Sequence, residues 1–135
     1  MNKFHKYIAM CIFTVLFTII SLKGNGQDVL QSINNSFSTG EIDLLKKHLR
    51  NNLDLSFDQQ KSIYSKSQAL ALLKQRFDKE PPKEFKTIKT SDLNNKNIIF
   101  VIYEYTSSKS KYLVYMSIKN DKDGLKIAEI HFESQ

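Results

Sequence analysis

Three consecutive runs of strand-forming residues fill the C-terminal third of the chain, and they constrain the fold more than any other stretch. The runs span residues 97–107, 109–119 and 125–133, and β-branched and aromatic residues dominate them. Short Ser/Lys-rich and Lys-Asp-Gly segments separate the runs. Because connections this short join antiparallel neighbours, the stretch is predicted to be an antiparallel meander.

The two turns predict how these strands pair. The second turn suits a three-residue loop at 122–124 with Gly124 in the left-handed region, and the first suits a loop at 107–109. The predicted pairs are Asp121 with Leu125, Ile118 with Ala128, Met116 with Ile130 and Val114 with Phe132 in the second hairpin, and Thr106 with Ser110, Ile102 with Val114 and Phe100 with Met116 in the first.

Alternation along these strands then predicts two faces. The face assigned to the core is uniformly apolar and carries Ile98, Phe100, Ile102, Val114, Met116, Ile118, Ala128, Ile130 and Phe132. The other face is mixed and rich in tyrosine, and we expect function there. It carries Ile99, Val101, Tyr103, Tyr105, Leu113, Tyr115, Ser117, Ile127, Glu129 and His131.

The first 26 residues have the order of a secretory signal peptide. A basic start at 1–6 precedes a mostly apolar run at 7–22, and the small-residue pattern Gly24-Asn25-Gly26 follows. A retained anchor is the alternative, but the run is shorter than the roughly 20 residues that span a bilayer. We therefore expect a signal peptide at 1–26 and one exported domain at 27–135, periplasmic or secreted, with no membrane attachment after leader removal.

Composition then excludes several classes of function. The only cysteine, Cys11, lies in the leader, so the mature domain has no thiol and no disulfide. Three lysines leave with the leader, which reduces the net charge from +6 to +3. That charge is too small to argue for nucleic acid. No Cys/His spacing typical of a metal site is present, and no cofactor is expected.

The rest of the mature chain predicts helices and short strands in alternation. A helix at 28–37 is followed by a second that starts at a capping box formed by Ser38 and Glu41. A strand at 53–58 and a short extended piece at 62–64 precede a third helix, which Ser65 and Gln68 cap in the same way. Pro81-Pro82 ends that helix, and a strand at 85–90 leads to the meander. The predicted class is α+β with the order α-α-β-α-β-β-β-β.

This order resembles the nuclear transport factor 2-like cone, in which a curved antiparallel sheet wraps around N-terminal helices. The closer resemblance is to a family of small exported proteins of Bacteroidota that has this fold and no assigned function. The sequence words that carry it are Ser62-Ile63-Tyr64-Ser65-Lys66-Ser67-Gln68-Ala69, Phe85-Lys86, Phe100-Val101-Ile102, Lys111-Tyr112-Leu113-Val114-Tyr115 and Ile127-Ala128-Glu129-Ile130-His131-Phe132-Glu133.

Glu104 is the candidate acid for an enzyme. The predicted alternation places it on the core face opposite Tyr112, and in enzymes of related fold an acid deep in the cone transfers protons. A carboxylate among apolar side chains would have a raised pKa suited to that role. The simpler interpretation, which we favour, puts Glu104 and Tyr112 at the mouth of a pocket where the sheet opens to water, because no second acid-base group completes a site.

The mixed face offers the candidates for binding. His131 and Glu129 lie two residues apart with Tyr115 opposite His131, and Tyr103 and Tyr105 share that face. Aromatic rings with polar tips are common at interfaces, so we expect a homodimer through this face, with a ligand platform as the alternative. The expected function is an exported, non-catalytic domain that binds a small ligand or protein partner. The alternatives are an isomerase- or dehydratase-like enzyme and a purely structural homodimer.

Overall fold

Six strands form one sheet, and three helical segments cover one side of it. The computed structural model describes residues 26–91, 93–94 and 97–135, so all of the predicted leader except Gly26 lies outside the described residues. The helices are α1 (Gly26–Thr39), a 3-10 helix (Ile42–His48) and α2 (Lys66–Lys79). The strands are β1 (Leu49–Phe57), β2 (Gln60–Ser65), β3 (Pro82–Thr90), β4 (Ile98–Ser107), β5 (Lys111–Asp121) and β6 (Gly124–Ser134). The predicted α+β class is confirmed. The extended piece at 62–64 is part of β2, so the sheet has six strands and not the five of the predicted order.

The strand order in the sheet is β2-β1-β6-β5-β4-β3. Strands β4 to β6 form the predicted meander, β3 extends it by pairing with β4, and β1 and β2 form a separate hairpin. Strand β1 connects the hairpin of β1 and β2 to the meander by pairing in parallel with β6. The chain therefore places β1 beside a strand that follows it by some 70 residues. None of the described helices is long and apolar enough to cross a bilayer.

The capping prediction holds for α2 and is wrong for the segment after α1. In α2 the backbone N–H of Gln68 donates to Ser65 Oγ at 3.3 Å, and the Gln68 side chain accepts from the Ser65 N–H at 3.1 Å. Ser38 instead lies inside α1, which ends as Gly40 turns with a positive φ of 78°. The next segment is a 3-10 helix without a side-chain cap.

Aromatic rings fill the space between the helices and the sheet. Phe37 of α1 packs against Phe77 of α2 and Phe85 of β3, with ring centroids 5.0 and 4.8 Å apart. Tyr105 stacks on Phe77 at 5.5 Å, and Tyr103 stacks on Phe85 at 4.5 Å. These rings and the aliphatic side chains around them form one continuous core.

The hairpin of β5 and β6 largely follows the predicted register. Met116 pairs with Ile130 and Val114 with Phe132, as predicted. Gly124 has the expected positive φ, at 99°. The predicted three-residue loop and the pairs at this end are wrong: Asp121 pairs with Gly124 across a two-residue turn, and Ile118 pairs with Ile127. The register shifts between Ser117 and Ile118, so Ala128 is left over as a bulge.

The hairpin of β4 and β5 is one residue out of phase with the prediction. Val101, and not Phe100, pairs with Met116, and Tyr103 pairs with Val114. Four residues, 107–110, separate the last paired residues, Thr106 and Lys111. The Ser107 hydroxyl stabilises this turn by accepting from the backbone N–H groups of residues 109 and 110 at 3.2 and 3.0 Å. A one-residue slip moves every side chain of a strand to the other face. The buried aliphatic and aromatic side chains of β4 are therefore Ile99, Val101, Tyr103 and Tyr105.

Candidate functional site

The outer face is the side of the sheet opposite the helices, and three cross-strand rows of side chains define it. Each row follows from the pairing of neighbouring strands, because paired residues share a face. The first row is Ile63, Asp54, Glu129, Ser117 and Phe100; the second is Lys61, Ser56, His131, Tyr115, Ile102 and Lys89; the third is Glu133, Leu113, Glu104 and Lys86.

Tyr103 and Tyr105 do not lie on the outer face, so the predicted tyrosine surface is wrong for two of its three members. Both side chains are fully buried in the core. Burial raises the pKa of both phenols above the ordinary value. The Tyr105 hydroxyl donates to the backbone carbonyl of Glu80, whereas the Tyr103 hydroxyl has no hydrogen-bond partner in the described chain.

Glu104 lies on the outer face, so its predicted place on the core side of the sheet is also wrong. Its carboxylate forms ion pairs with Lys111 at 3.0 Å and Lys86 at 3.3 Å. The hydrogen bond from Lys111 is the largest cause that holds the pKa of Glu104 below its ordinary value. An acid deep in a cone would need a raised pKa, so this glutamate does not have the predicted setting.

Tyr112 and Glu104 do not share a pocket mouth. Tyr112 is buried on the core side, pairs with Tyr105 and accepts a hydrogen bond from Arg76 Nη1 at 3.2 Å. Glu104 pairs with Leu113 on the opposite face. The predicted pocket mouth was a consequence of the one-residue error in the register of β4.

An apolar patch occupies the β4 and β5 part of the outer face. Phe100 is 53% exposed. Ile102 and Tyr115 in the next cross-strand row, and Leu113 in the row after that, are each half-buried. Burial and the neighbouring Glu133 carboxylate raise the pKa of Tyr115. The patch places an exposed phenylalanine on a paired strand rather than on a loop, and contiguous exposed apolar groups mark interaction surfaces.

A polar cluster lies beside this patch on β1, β5 and β6, and it consists of Asp54, Ser56, Ser117, Glu129 and His131. Ser56 Oγ is 2.7 Å from His131 Nδ1. The Ser117 hydroxyl donates to Glu129 Oε2, to which Lys119 also lies close, at 3.4 Å. The hydrogen bond from Ser117 is the main cause that lowers the pKa of Glu129. Lys61 pairs with Asp54 Oδ2 at 3.0 Å.

The structure thus brings together three of the predicted site residues, Tyr115, Glu129 and His131. Tyr115 pairs with His131, as predicted. Asp54 and Ser56 are functional candidates that the sequence analysis missed. The signal for them was the inward placement of Leu53 and Leu55, which leaves the residues between and after them on the outer face, but nothing local indicated that β1 lies beside β6.

Comparisons with known proteins identify the family. A family model described as a domain of unknown function (DUF4783) matches residues 30–133. Solved structures of DUF4783 proteins from Bacteroides ovatus and Bacteroides uniformis are similar, with TM-scores of 0.71 and 0.73 at 18% and 16% identity. The match with the B. ovatus protein covers 77% of this chain and 93% of that protein's chain. The match with the B. uniformis protein covers 78% and 95%.

A protein of unknown function from Silicibacter pomeroyi, described as NTF-2 like, has a TM-score of 0.60 at 9% identity, covering 81% of this chain and 92% of its own. No curated protein matches the sequence. The predicted nuclear transport factor 2-like fold and the resemblance to a Bacteroidota family are both confirmed. With the family model matching most of its length, the chain belongs to the DUF4783 family.

Proposed function

We propose that this chain is an exported, non-catalytic binding domain that forms a homodimer through the outer face of its sheet. The observation that carries the proposal is the position of Phe100, which is 53% exposed on a paired strand of the sheet, on the same face as three half-buried apolar side chains. Interface cores are enriched in aromatic residues and depleted of charge. Detection of a mature protein that starts at Gln27 outside the cytoplasm tests the export part of the proposal.

The charges around the apolar patch favour a second copy as the occupant. Lys86 and Lys111 lie beside Glu104 on one side of the patch, and Lys119 lies beside Glu129 on the other. Both signs therefore alternate around the rim. A rim that carries both signs allows opposite charges to meet when two copies are related by a two-fold rotation, whereas a strongly charged partner such as nucleic acid needs a rim of one sign.

The packing between helices and sheet favours binding through the surface over chemistry in the cone. Aromatic rings 4.5 to 5.5 Å apart occupy that space. Glu104, the acid that the enzyme alternative requires, lies on the other side of the sheet in contact with two lysines. A small ligand that occupied the core would have to displace close-packed side chains, which is costly.

The proposal predicts that Phe100→Lys makes the protein monomeric. A buried aromatic at an interface centre contributes at least about 2 kcal/mol, so the dissociation constant of the dimer should rise by at least about 30-fold. The measurement is sedimentation equilibrium over a concentration series. Leu44→Lys is the matched control, because Leu44 is a 43% exposed apolar residue of the 3-10 helix, away from the outer face.

Two results would contradict the homodimer. One is a wild-type protein that remains monomeric at the highest soluble concentration, and the other is a Phe100→Lys protein as dimeric as the wild type. If the Leu44→Lys protein alone becomes monomeric, the contact lies on the helical side and the outer face is not the interface.

A further inference from the structure

The geometry points to a divalent metal site on the outer face, and we propose that Asp54, Glu129 and His131 bind a first-row transition ion such as Zn²⁺. Each of the three residues offers one potential ligand atom, and these three atoms lie within 4.8 Å of one another. One imidazole with two carboxylates is a ligand set that zinc accepts, with a further position open to water.

Regular backbone pairing holds these three ligands. Asp54 of β1 lies directly opposite Glu129 of β6, and His131 lies one row further along the same strand, opposite Ser56. Ligands on paired strands are positioned more precisely than ligands on loops. The backbone therefore holds the three residues side by side before any ion arrives, and a zinc ion would take their ligand atoms at about 2.0–2.2 Å.

Asp54 gives an independent indication that this cluster accepts a cation. Its Oδ1 atom is buried and has no hydrogen-bond partner among the described residues, while Lys61 contacts only the other oxygen, Oδ2. A buried carboxylate oxygen without a partner carries a desolvation penalty. A metal ion bound to Oδ1 would remove that penalty and leave the ion pair with Lys61 in place.

His131 is oriented by a neighbour in the way that metal-binding histidines are. Its Nδ1 atom is 2.7 Å from Ser56 Oγ, and Ser56 is almost fully buried. In the tautomer in which Nδ1–H donates to the hydroxyl, Nε2 keeps the lone pair that an ion requires. Ser117 supports Glu129 similarly, by donating to Oε2. Each of these two ligands thus has a hydroxyl that fixes its orientation.

Two lysines beside the cluster are expected to weaken its binding of a metal ion. Lys61 and Lys119 lie 3.0 and 3.4 Å from carboxylate oxygens of the cluster, so they repel an arriving cation. The Lys61 side chain is 59% exposed and free to move into solvent. We therefore expect Lys61→Met to tighten metal binding, a response that a purely structural role of the cluster would not produce.

The test is calorimetric titration of the full chain with ZnCl₂. Every protein carries Cys11→Ser, so that the only thiol of the sequence does not contribute. His131→Ala and Asp54→Asn are expected to weaken binding by at least about 10-fold, the loss typical even for removal of a residue that only supports a ligand. His48→Ala is the matched control and should bind as the parent does, because His48 lies at the end of the 3-10 helix.

The proposal is overturned if the parent shows no binding, or if the His131→Ala and His48→Ala proteins bind equally well. If Asp54→Asn does not fold, the remaining variants test the site. Zinc affinity should then be lower for His131→Ala than for His48→Ala, and higher for Lys61→Met than for either. Zinc binding that depends on His131, in a parent protein that sedimentation shows to be monomeric, would support the metal site without the homodimer. Failure of the homodimer proposal would therefore be distinguishable from failure of this one.

Discussion

A charge at Val101 is expected to unfold the domain, whereas the same charge one residue earlier, at Phe100, is expected to leave it folded. Val101 is 1% exposed and faces the helices, while Phe100 is 53% exposed on the outer face. An unpaired carboxylate in a core costs more than about 4 kcal/mol, which is comparable to the whole stability of a small domain. Denaturant unfolding of Val101→Asp and Phe100→Asp measures the difference.

The pair of variants is its own control, because both place one aspartate on the same strand. Phe100→Asp should unfold cooperatively as a monomer, and Val101→Asp should lack a folded baseline. If Phe100→Asp unfolds the chain and Val101→Asp does not, then β4 has the phase predicted from the sequence and the outer face described here does not exist.

Phe132→Ala is expected to lower the free energy of unfolding by about 3–5 kcal/mol, the range for removal of a large buried ring. Phe132 is 1% exposed. Its ring lies 5.1 Å from that of Phe57, 6.1 Å from that of Tyr112, and 6.2 Å from those of Phe37 and Tyr105. The ring therefore links β1, α1 and the meander, and the surrounding side chains, which come from four elements, are too constrained to close the cavity.

The same truncation at Phe100 provides the comparison. Since that ring is half exposed, Phe100→Ala should cost the monomer less than about 1 kcal/mol. Equal losses in the two variants, measured by denaturant unfolding below the concentration at which the protein associates, would contradict the placement of Phe132 at the centre of the core.

The sequence was sufficient for the fold class and for the pairing in the middle of β5 and β6. Met116, Val114, Ile130 and Phe132 are apolar and alternate with polar residues on at least one of the two strands, so only one phase buries them. The capping box at Ser65 was also identifiable, because both of its hydrogen bonds are local.

The phase of β4 could not be obtained in the same way, because both of its faces are apolar. Phe100 and Ile102 on one face are as hydrophobic as Ile99 and Val101 on the other. Alternation therefore does not choose between the two phases, and the length of the turn decides. The sequence around Ser107 permits three or four residues in that turn, and the side-chain hydrogen bonds of Ser107 select four. Placing Tyr103, Tyr105 and Glu104 on the wrong faces followed from that single choice.

The polar cluster could not be predicted from the sequence for a different reason. Its members come from β1 and β6, which pair in parallel although they are far apart in the sequence. No turn connects them, so no local signal sets their register. Glu129 and His131 were recognised by their spacing within one strand, and Asp54 and Ser56 could be added only once the pairing of β1 was known.

The outer face has the composition given above only if β4 pairs with β5 in this register, and nuclear Overhauser contacts between backbone protons of the two strands test that pairing most directly. The structure predicts cross-strand contacts of Val101 with Met116 and of Tyr103 with Val114. Contacts of Phe100 with Met116 and of Ile102 with Val114 would contradict it and return Phe100 to the core.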